Sequence, residues 1–365
     1  MPPKSKRIVL LKPQAKNQGG LEKTASRIAQ GFIDRGHEVT WLKAEGIKTS
    51  LFPSIRLEQF DRFTRNYLEK NQVDIAFGFD RTRRQTHLRA GNGVHAAYLE
   101  SRIAPEGKLK YYSCLLNPLH RKILSIEKEA FESPFLQKLF TNSRMVKKQI
   151  LDRFQVDPNK IQVIHNGVEW HEMQEDFDLW PEKKLLHAKN LQLHPKQFHF
   201  LFVGHGFQRK GLDLVLKALS LLTPKEVHLT VVGHDKKLEM YRAKAKALGI
   251  AATFVGPQAN IRPFYQIADA LVIPSFYDPF ANVTVEALAM GLYVVSSKQN
   301  GGHEILTPET GHVIEDLLSI ETVVESLQAA LRRPKTIFSS GLQRQSVEHL
   351  DFSKQIGTLI EACDG

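Results

Sequence analysis

Two acids eight positions apart, Asp278 and Glu286, stand in the stretch Ala270–Gly302, ALVIPSFYDPFANVTVEALAMGLYVVSSKQNGG. Both are acceptors for hydroxyl hydrogen bonds. Asp278 sits on a polar, aromatic loop, Phe276 to Asn282, where it can meet a sugar. Glu286, about two turns later on a helix, can reach a ribose. Its neighbours Val285, Ala287 and Leu288 are apolar. A buried helix would make a lone carboxylate there costly, which argues against a plain surface residue. The N–H groups of Ala281, Asn282, Val283 and Thr284 are expected free at the helix start, able to hold a phosphate oxygen. Arg209 and Lys210 follow a strand and a glycine loop and are expected to open the next helix. Two cations there suit a diphosphate, since the carboxyl end of a strand is where open α/β sheets bind ligands. His95 ends the turn AGNGVH and is a candidate for positioning a substrate or accepting a proton, although a lone histidine is more often structural. Gly19 and Gly20 form a turn that lets backbone N–H groups approach an anion, without the G-x-G-x-x-G spacing of a dinucleotide site. Asp176-Phe-Asp178 has the form of a metal-binding acid pair, but it follows no strand and is taken as chance.

These residues need a scaffold of strands that end where the loops begin. Arg7–Leu11 reads as a strand, Leu21–Asp34 as a helix with apolar residues at three- and four-residue spacing, and Glu38–Leu42 as the next strand. Asp74–Gly78, Lys138–Asn142 and Ile161–Ile164 read as further strands, with a serine-capped helix over Ser143–Phe154. Glu169–Leu193 changes character, with many charges and weak periodicity, and the domain boundary is placed at its start. The alternation then resumes, with strands over Phe198–Val203, Val227–Val232 and Ala252–Val255 and helices over Gly211–Leu222 and Lys236–Leu248. Ile320–Arg332 and Leu342–Ala362 are expected as terminal helices. Strands alternating with helices in both halves imply an α/β chain of two parallel-sheet domains facing across a cleft.

At 365 residues, with 42% hydrophobic and 24% charged residues, the chain has the composition of a soluble protein of two domains. No apolar run reaches the roughly 20 residues of a membrane-spanning helix. The start, MPPKSKRIVLLKP, is too short in apolar residues for a signal peptide and reads as a first strand. Two cysteines, Cys114 and Cys363, suggest a reduced, cytoplasmic setting. The net charge of +11 is uneven: residues 1–165 hold 30 Lys and Arg against 16 Asp and Glu, and residues 166–365 hold 20 against 23. The first half is therefore expected to face something anionic. Within it, Lys108–Leu124, KLKYYSCLLNPLHRKIL, mixes basic and aromatic residues, as a membrane-interface segment does. An ordinary surface helix has the same composition.

The motifs GGLEKTASRIAQGFIDRGHEV, AGNGVHAAYLE, VIHNGVE, FLFVGHGFQRKGLDLVLKAL, FVGPQANIRPFYQIADALVIPSFYDPFANVTVEALAMG and GGHEIL, from residue 19 to 306, resemble the retaining GT-B glycosyltransferases of family 4. The resemblance extends to the lipopolysaccharide core glucosyltransferase branch. It implies two Rossmann-like domains, an acceptor domain over 1–168 and a nucleotide-sugar domain over 169–341, with a C-terminal helix in 342–365 packing back on the first. It also implies roles. Glu286 takes the ribose hydroxyls. Asp278 stands where the family has a glutamate and holds the donor sugar, with a shorter reach. Arg209 and Lys210 neutralise the leaving diphosphate, Gly19 and Gly20 close over it, and the base lies near Phe254–Gly256, with Gly256 at the loop. His95 sits by the reacting sugar. No metal and no other cofactor is expected besides the donor, taken as UDP-glucose. An anionic glycolipid at the inner face of the cytoplasmic membrane is the expected acceptor. A soluble acceptor is the alternative. A basic nucleic-acid-binding or scaffold protein would explain the charge but not the acids and cations together, so no nucleic-acid partner is expected.

Overall fold

The computed structural model describes residues 5–12, 20–44, 50–79, 81–194, 197–222 and 227–364. The chain divides into two compact units, the first running to His165 and regaining the chain from Ser353, the second being Asn166–Phe352.

The first unit is built on six parallel strands: β1 (Arg7–Leu11), β2 (Glu38–Leu42), β3 (Ile75–Gly78), β4 (His87–Arg89), β5 (Lys138–Thr141) and β6 (Ile161–Val163). Their order is β2-β1-β3-β4-β5-β6. β4 was not expected, because it lies in an arginine-rich segment. Leu88 pairs with Gly78 on one side and Leu139 on the other, and this burial between two strands overrides the polar composition. Ile8, Leu10, Phe77 and Phe140 form the apolar layer under the helix Gly20–Asp34, which contributes Ile28 and Phe32.

The same core takes Leu359, Ile360 and Cys363 from a helix over Phe352–Asp364. Gly31 permits this close approach: a β-carbon there would stand 2.3 Å from Ile360 Cδ1. Asp364 pairs with Lys6, Arg35 and His37. The single helix expected over Leu342–Ala362 is instead a helix over Ile337–Ser346, a short turn at Glu348–Leu350 and then the core helix. The break has a cause. Val168 N–H donates to Leu350 O and Phe352 N–H donates to Val168 O, so the backbone is used for pairing at that point. Residues 337–352 consequently belong to the second unit.

The second unit carries β7 (Phe198–Val203), β8 (Val227–Val232), β9 (Ala252–Gly256), β10 (Ala270–Ile273), β11 (Tyr293–Ser297) and β12 (Gly311–Ile314). Their order is β12-β11-β10-β7-β8-β9, all parallel. Most of these strands are buried on both faces, with Phe200, Phe202 and Val272 in one core layer and Leu201, Ile273 and Val294 in the other. That is why they read as continuous apolar runs. Glu169–Leu193, expected to be irregular, holds helices Gln174–Asp178 and Trp180–Asn190. Their inward contacts are partly polar, which hides the periodicity: Lys184 pairs with Asp269 at 2.7 Å, and the Lys335 ammonium lies 4.5 Å from the centre of the Trp180 ring.

The strand order places the functional loops. β7 and β10 are neighbours, yet the chain leaves β7 toward β8 and leaves β10 toward β11 on the opposite side. Their carboxyl ends therefore diverge and leave a crevice, the usual ligand site of an open α/β sheet. β1 and β3 do the same in the first unit.

Candidate active site

In the second unit, the loops after β7 and β10 meet at this crevice. Lys210 Nζ lies 2.5 Å from Asp278 Oδ2, and an Arg209 guanidinium nitrogen lies 3.3 Å from the same oxygen. Arg209 also donates to Tyr277 O at 2.8 Å, and Phe276 N–H donates to Arg209 O, so the two loops are sewn together. Burial pushes the Asp278 carboxyl up, but Lys210 and Arg209 outweigh it and hold the group below its ordinary value. The carboxylate is therefore ionised. Burial lowers the Lys210 pKa while Asp278 opposes the shift, and two basic side chains thus share one carboxylate, formally one positive charge in excess.

This arrangement corrects two expectations. Arg209 and Lys210 do not open a helix. They end a single helical turn, Phe207–Lys210, and Gly211 then turns the chain into Leu212–Leu221. Gly211 has φ +80°, and a β-carbon there would lie 2.1 Å from Pro274 O, so only glycine fits. Nor are the cations and Asp278 separate grips, because they form one ion-paired cluster.

Glu286 is half-buried on the helix Asn282–Ala289 and accepts a 2.8 Å hydrogen bond from the fully buried Tyr265 hydroxyl. The lone buried carboxylate inferred from its apolar neighbours thus has a phenol partner. The start of this helix also differs from expectation. Ala281 N–H donates to Asn300 Oδ1 at 2.9 Å and Thr284 N–H donates to Ala281 O, which leaves the N–H groups of Asn282 and Val283 at the helix start. Thr284 is buried and its hydroxyl accepts from Asn300. Asn166 Nδ2 donates to Asn282 Oδ1 at 2.6 Å.

Asn300 is the residue that the sequence did not reveal. It is fully buried, accepts from Ala281 N–H and Gly302 N–H, and donates to Thr284 and Ser296 hydroxyls. Its backbone neighbours pair with the Asp278 loop: Asp278 N–H donates to Gln299 O, and Gly301 N–H donates to Asp278 O. One side chain therefore sets the helix start while its own loop holds Asp278. The only sequence signal was a polar residue inside an apolar-flanked QNGG turn.

Gly256 ends β9 with φ +75° and open space where a β-carbon would be. Asp176 pairs with Arg262 at 2.7 Å and Asp178 accepts from Gln174, so the Asp-x-Asp segment serves structure. Among the described residues, no group of three His, Cys, Asp or Glu side chains is placed to hold a metal ion.

In the first unit, His95 begins the helix His95–Ser101 and is buried. Its N–H donates to both carboxylate oxygens of Glu127, at 2.9 and 3.0 Å, and its Nε2 lies 3.0 Å from His120 Nδ1. Burial, reinforced by the Arg81 charge, lowers the His95 pKa to about 3, and burial raises that of Glu127 to about 7. His95 is thus neutral near pH 7. Gly20 is the first residue of its helix, and Gly19 lies outside the described residues.

Two doubly wound parallel-sheet units of this kind have the GT-B fold. The comparisons agree. Residues 18–171 match Glycosyltransferase Family 4 and residues 184–339 match Glycosyl transferases group 1, and the chain belongs to these glycosyltransferases. The lipopolysaccharide glucosyltransferase WaaG of Escherichia coli K12 is 26% identical over 338 residues, covering 86% of each chain. D-inositol 3-phosphate glycosyltransferase of Mycobacterium sp. strain KMS is 28% identical over 207 residues, 50% of this chain and 45% of that one. The crystal structure of WaaG matches with a TM-score of 0.79 at 22% identity, covering 98% of this chain and 99% of that one. A structure of HepE from Anabaena in complex with UDP-glucose matches the fold with a TM-score of 0.65 at 16% identity, over 98% and 99% of the two chains.

Proposed function

We propose that the chain is a retaining, metal-independent hexosyltransferase that moves glucose from UDP-glucose onto an anionic glycolipid of the lipopolysaccharide-core type. The observation that carries this reading is the Lys210–Asp278–Arg209 cluster at the β7/β10 switch point. Its excess positive charge suits a leaving diphosphate, whose negative charge grows as the bond to the sugar breaks. The Asn282 and Val283 N–H groups add donors at a helix start. Glu286, held by Tyr265, is the ribose acceptor, Gly256 leaves room beside the base, and Asp278 takes the sugar hydroxyls. His95, neutral, would hydrogen-bond the reacting sugar. Retention is what the resemblance to family 4 implies, and with no carboxylate of the Lys210–Asp278–Arg209 cluster free to act as a nucleophile, the acceptor hydroxyl would attack on the face that the nucleotide leaves, its proton passing to the departing phosphate. Glucose as donor and lipopolysaccharide as acceptor are supported by the WaaG relative, and UDP by the HepE complex.

The helix Lys108–Leu116 supports a membrane-bound acceptor. Leu109 and Leu116 are 89% and 77% exposed, beside Lys108 and Lys110, as in a segment that seats on anionic headgroups at the inner face of the cytoplasmic membrane. No helix among the described residues is long and apolar enough to cross a membrane. A soluble phosphorylated acceptor is the second reading, favoured by the inositol-phosphate relative.

A thermal-shift screen of nucleotide sugars tests the donor, because a ligand of the folded state raises its melting temperature. UDP-glucose should stabilise the chain with EDTA present, and no shift with any nucleotide sugar would sink the reading. Co-sedimentation with anionic vesicles at low salt separates the acceptors, since failure to bind favours the soluble one.

A further inference from the structure

The helix Pro118–Phe131 grips His95 at two points. Glu127 takes the His95 backbone N–H, and His120, seven residues earlier on the same helix, meets the His95 ring at 3.0 Å. A spacing of seven places both on one helix face. The two rings lie with centroids 5.1 Å apart and planes at 31°. The other groups around His95 do not replace this bond. The Tyr98 ring lies tilted against it at 36°, with centroids 5.7 Å apart, while Arg81 and Arg102 act on it through charge. A neutral imidazole has one donor nitrogen and one acceptor nitrogen, and the bond made by one decides the role of the other. His120 is only half-buried, so it can exchange protons with solvent while His95 cannot readily do so.

We propose that His120 is a positioning residue that fixes the ring orientation and tautomer of His95, and so determines which nitrogen His95 presents to the reacting sugar. The inference rests on the reading of His95 as a neighbour of the reacting sugar.

The test compares His120→Asn, whose amide stands near the position of Nδ1, with His120→Ala and His95→Ala. Transfer is followed with UDP-glucose and acceptor, and the imidazole tautomers by long-range nitrogen–proton NMR of the full chain. The expected result is a fall in kcat on the order of 10- to 100-fold for His120→Ala, an unchanged KM for the donor, a melting temperature close to wild type, substantial recovery in His120→Asn, and a changed His95 tautomer signal in His120→Ala only. Wild-type kcat in His120→Ala while His95→Ala is inactive would overturn the proposal and leave the reading of His95 intact. An unchanged His95 tautomer in His120→Ala would overturn it regardless of activity. If His95→Ala is fully active, the reading of His95 falls, and the positioning role falls with it.

Discussion

Lys210 Nζ and Asp278 Oδ2 stand 2.5 Å apart in the second unit although 68 residues separate them in the chain, and both are buried. A buried ion pair of this kind is costly to break on one side. Lys210→Ala leaves Asp278 with Arg209 alone and should lower stability by about 3 kcal/mol in urea denaturation at pH 7. The sign with pH follows from the lowered Asp278 pKa. The stability from its ionised form is complete above the unfolded value of about 3.9 and is lost as pH falls through the lower folded value. The penalty of Lys210→Ala should therefore shrink in strong acid, and a penalty that is the same at pH 7 and pH 2.5 would speak against the pair.

Tyr265→Phe removes only the hydroxyl that holds Glu286. Donor KM should rise about five- to tenfold with a smaller change in kcat, at a stability cost of roughly 1 kcal/mol. Steady-state kinetics with varied UDP-glucose read this directly. An unchanged donor KM would separate Tyr265 from donor binding.

Asn300→Leu strands two buried N–H donors, those of Ala281 and Gly302, and two hydroxyls. The loss should be on the order of 3 kcal/mol or more, with weakened nucleotide-sugar binding by calorimetry in any folded fraction. Retention of wild-type stability would show that the network is dispensable.

Glu127 gives a pH dependence of the opposite sign. Its folded pKa is raised to about 7 by burial, against an ordinary value near 4.3. Between these values the folded chain keeps a proton that the unfolded chain has released. This group's contribution therefore falls as pH rises through the window, by up to about 4 kcal/mol in total. Glu127→Gln cannot titrate, so its stability relative to wild type should improve from pH 5 to pH 8 in parallel thermal melts. A difference that does not move with pH would place the Glu127 pKa near normal.

Much of the frame was legible. Val272, Ile273, Val294 and Val295 lie in strands buried on both faces, and such strands announce themselves as apolar runs. The sequence also marks the Ser143 cap, whose hydroxyl accepts from Val146 N–H. What it hides is pairing across distance. Nothing in FQRKG shows that Lys210 will meet Asp278, or in QNGG that Asn300 will hold Ala281. β4 was hidden because burial between two neighbours, not side-chain type, makes His87–Arg89 a strand. The helix Trp180–Asn190 was hidden because the Lys184 bridge to Asp269 stands where an apolar contact would mark the period.

The return of the chain to its first unit has a consequence for biosynthesis. Leu359, Ile360 and Cys363 fill part of the core around Ile28 and Phe32. A growing chain cannot complete that core until residue 363 has left the ribosome. The half made first must therefore wait for the helix Phe352–Asp364 before its core is complete, and the groove along Gly31 stays unfilled until then.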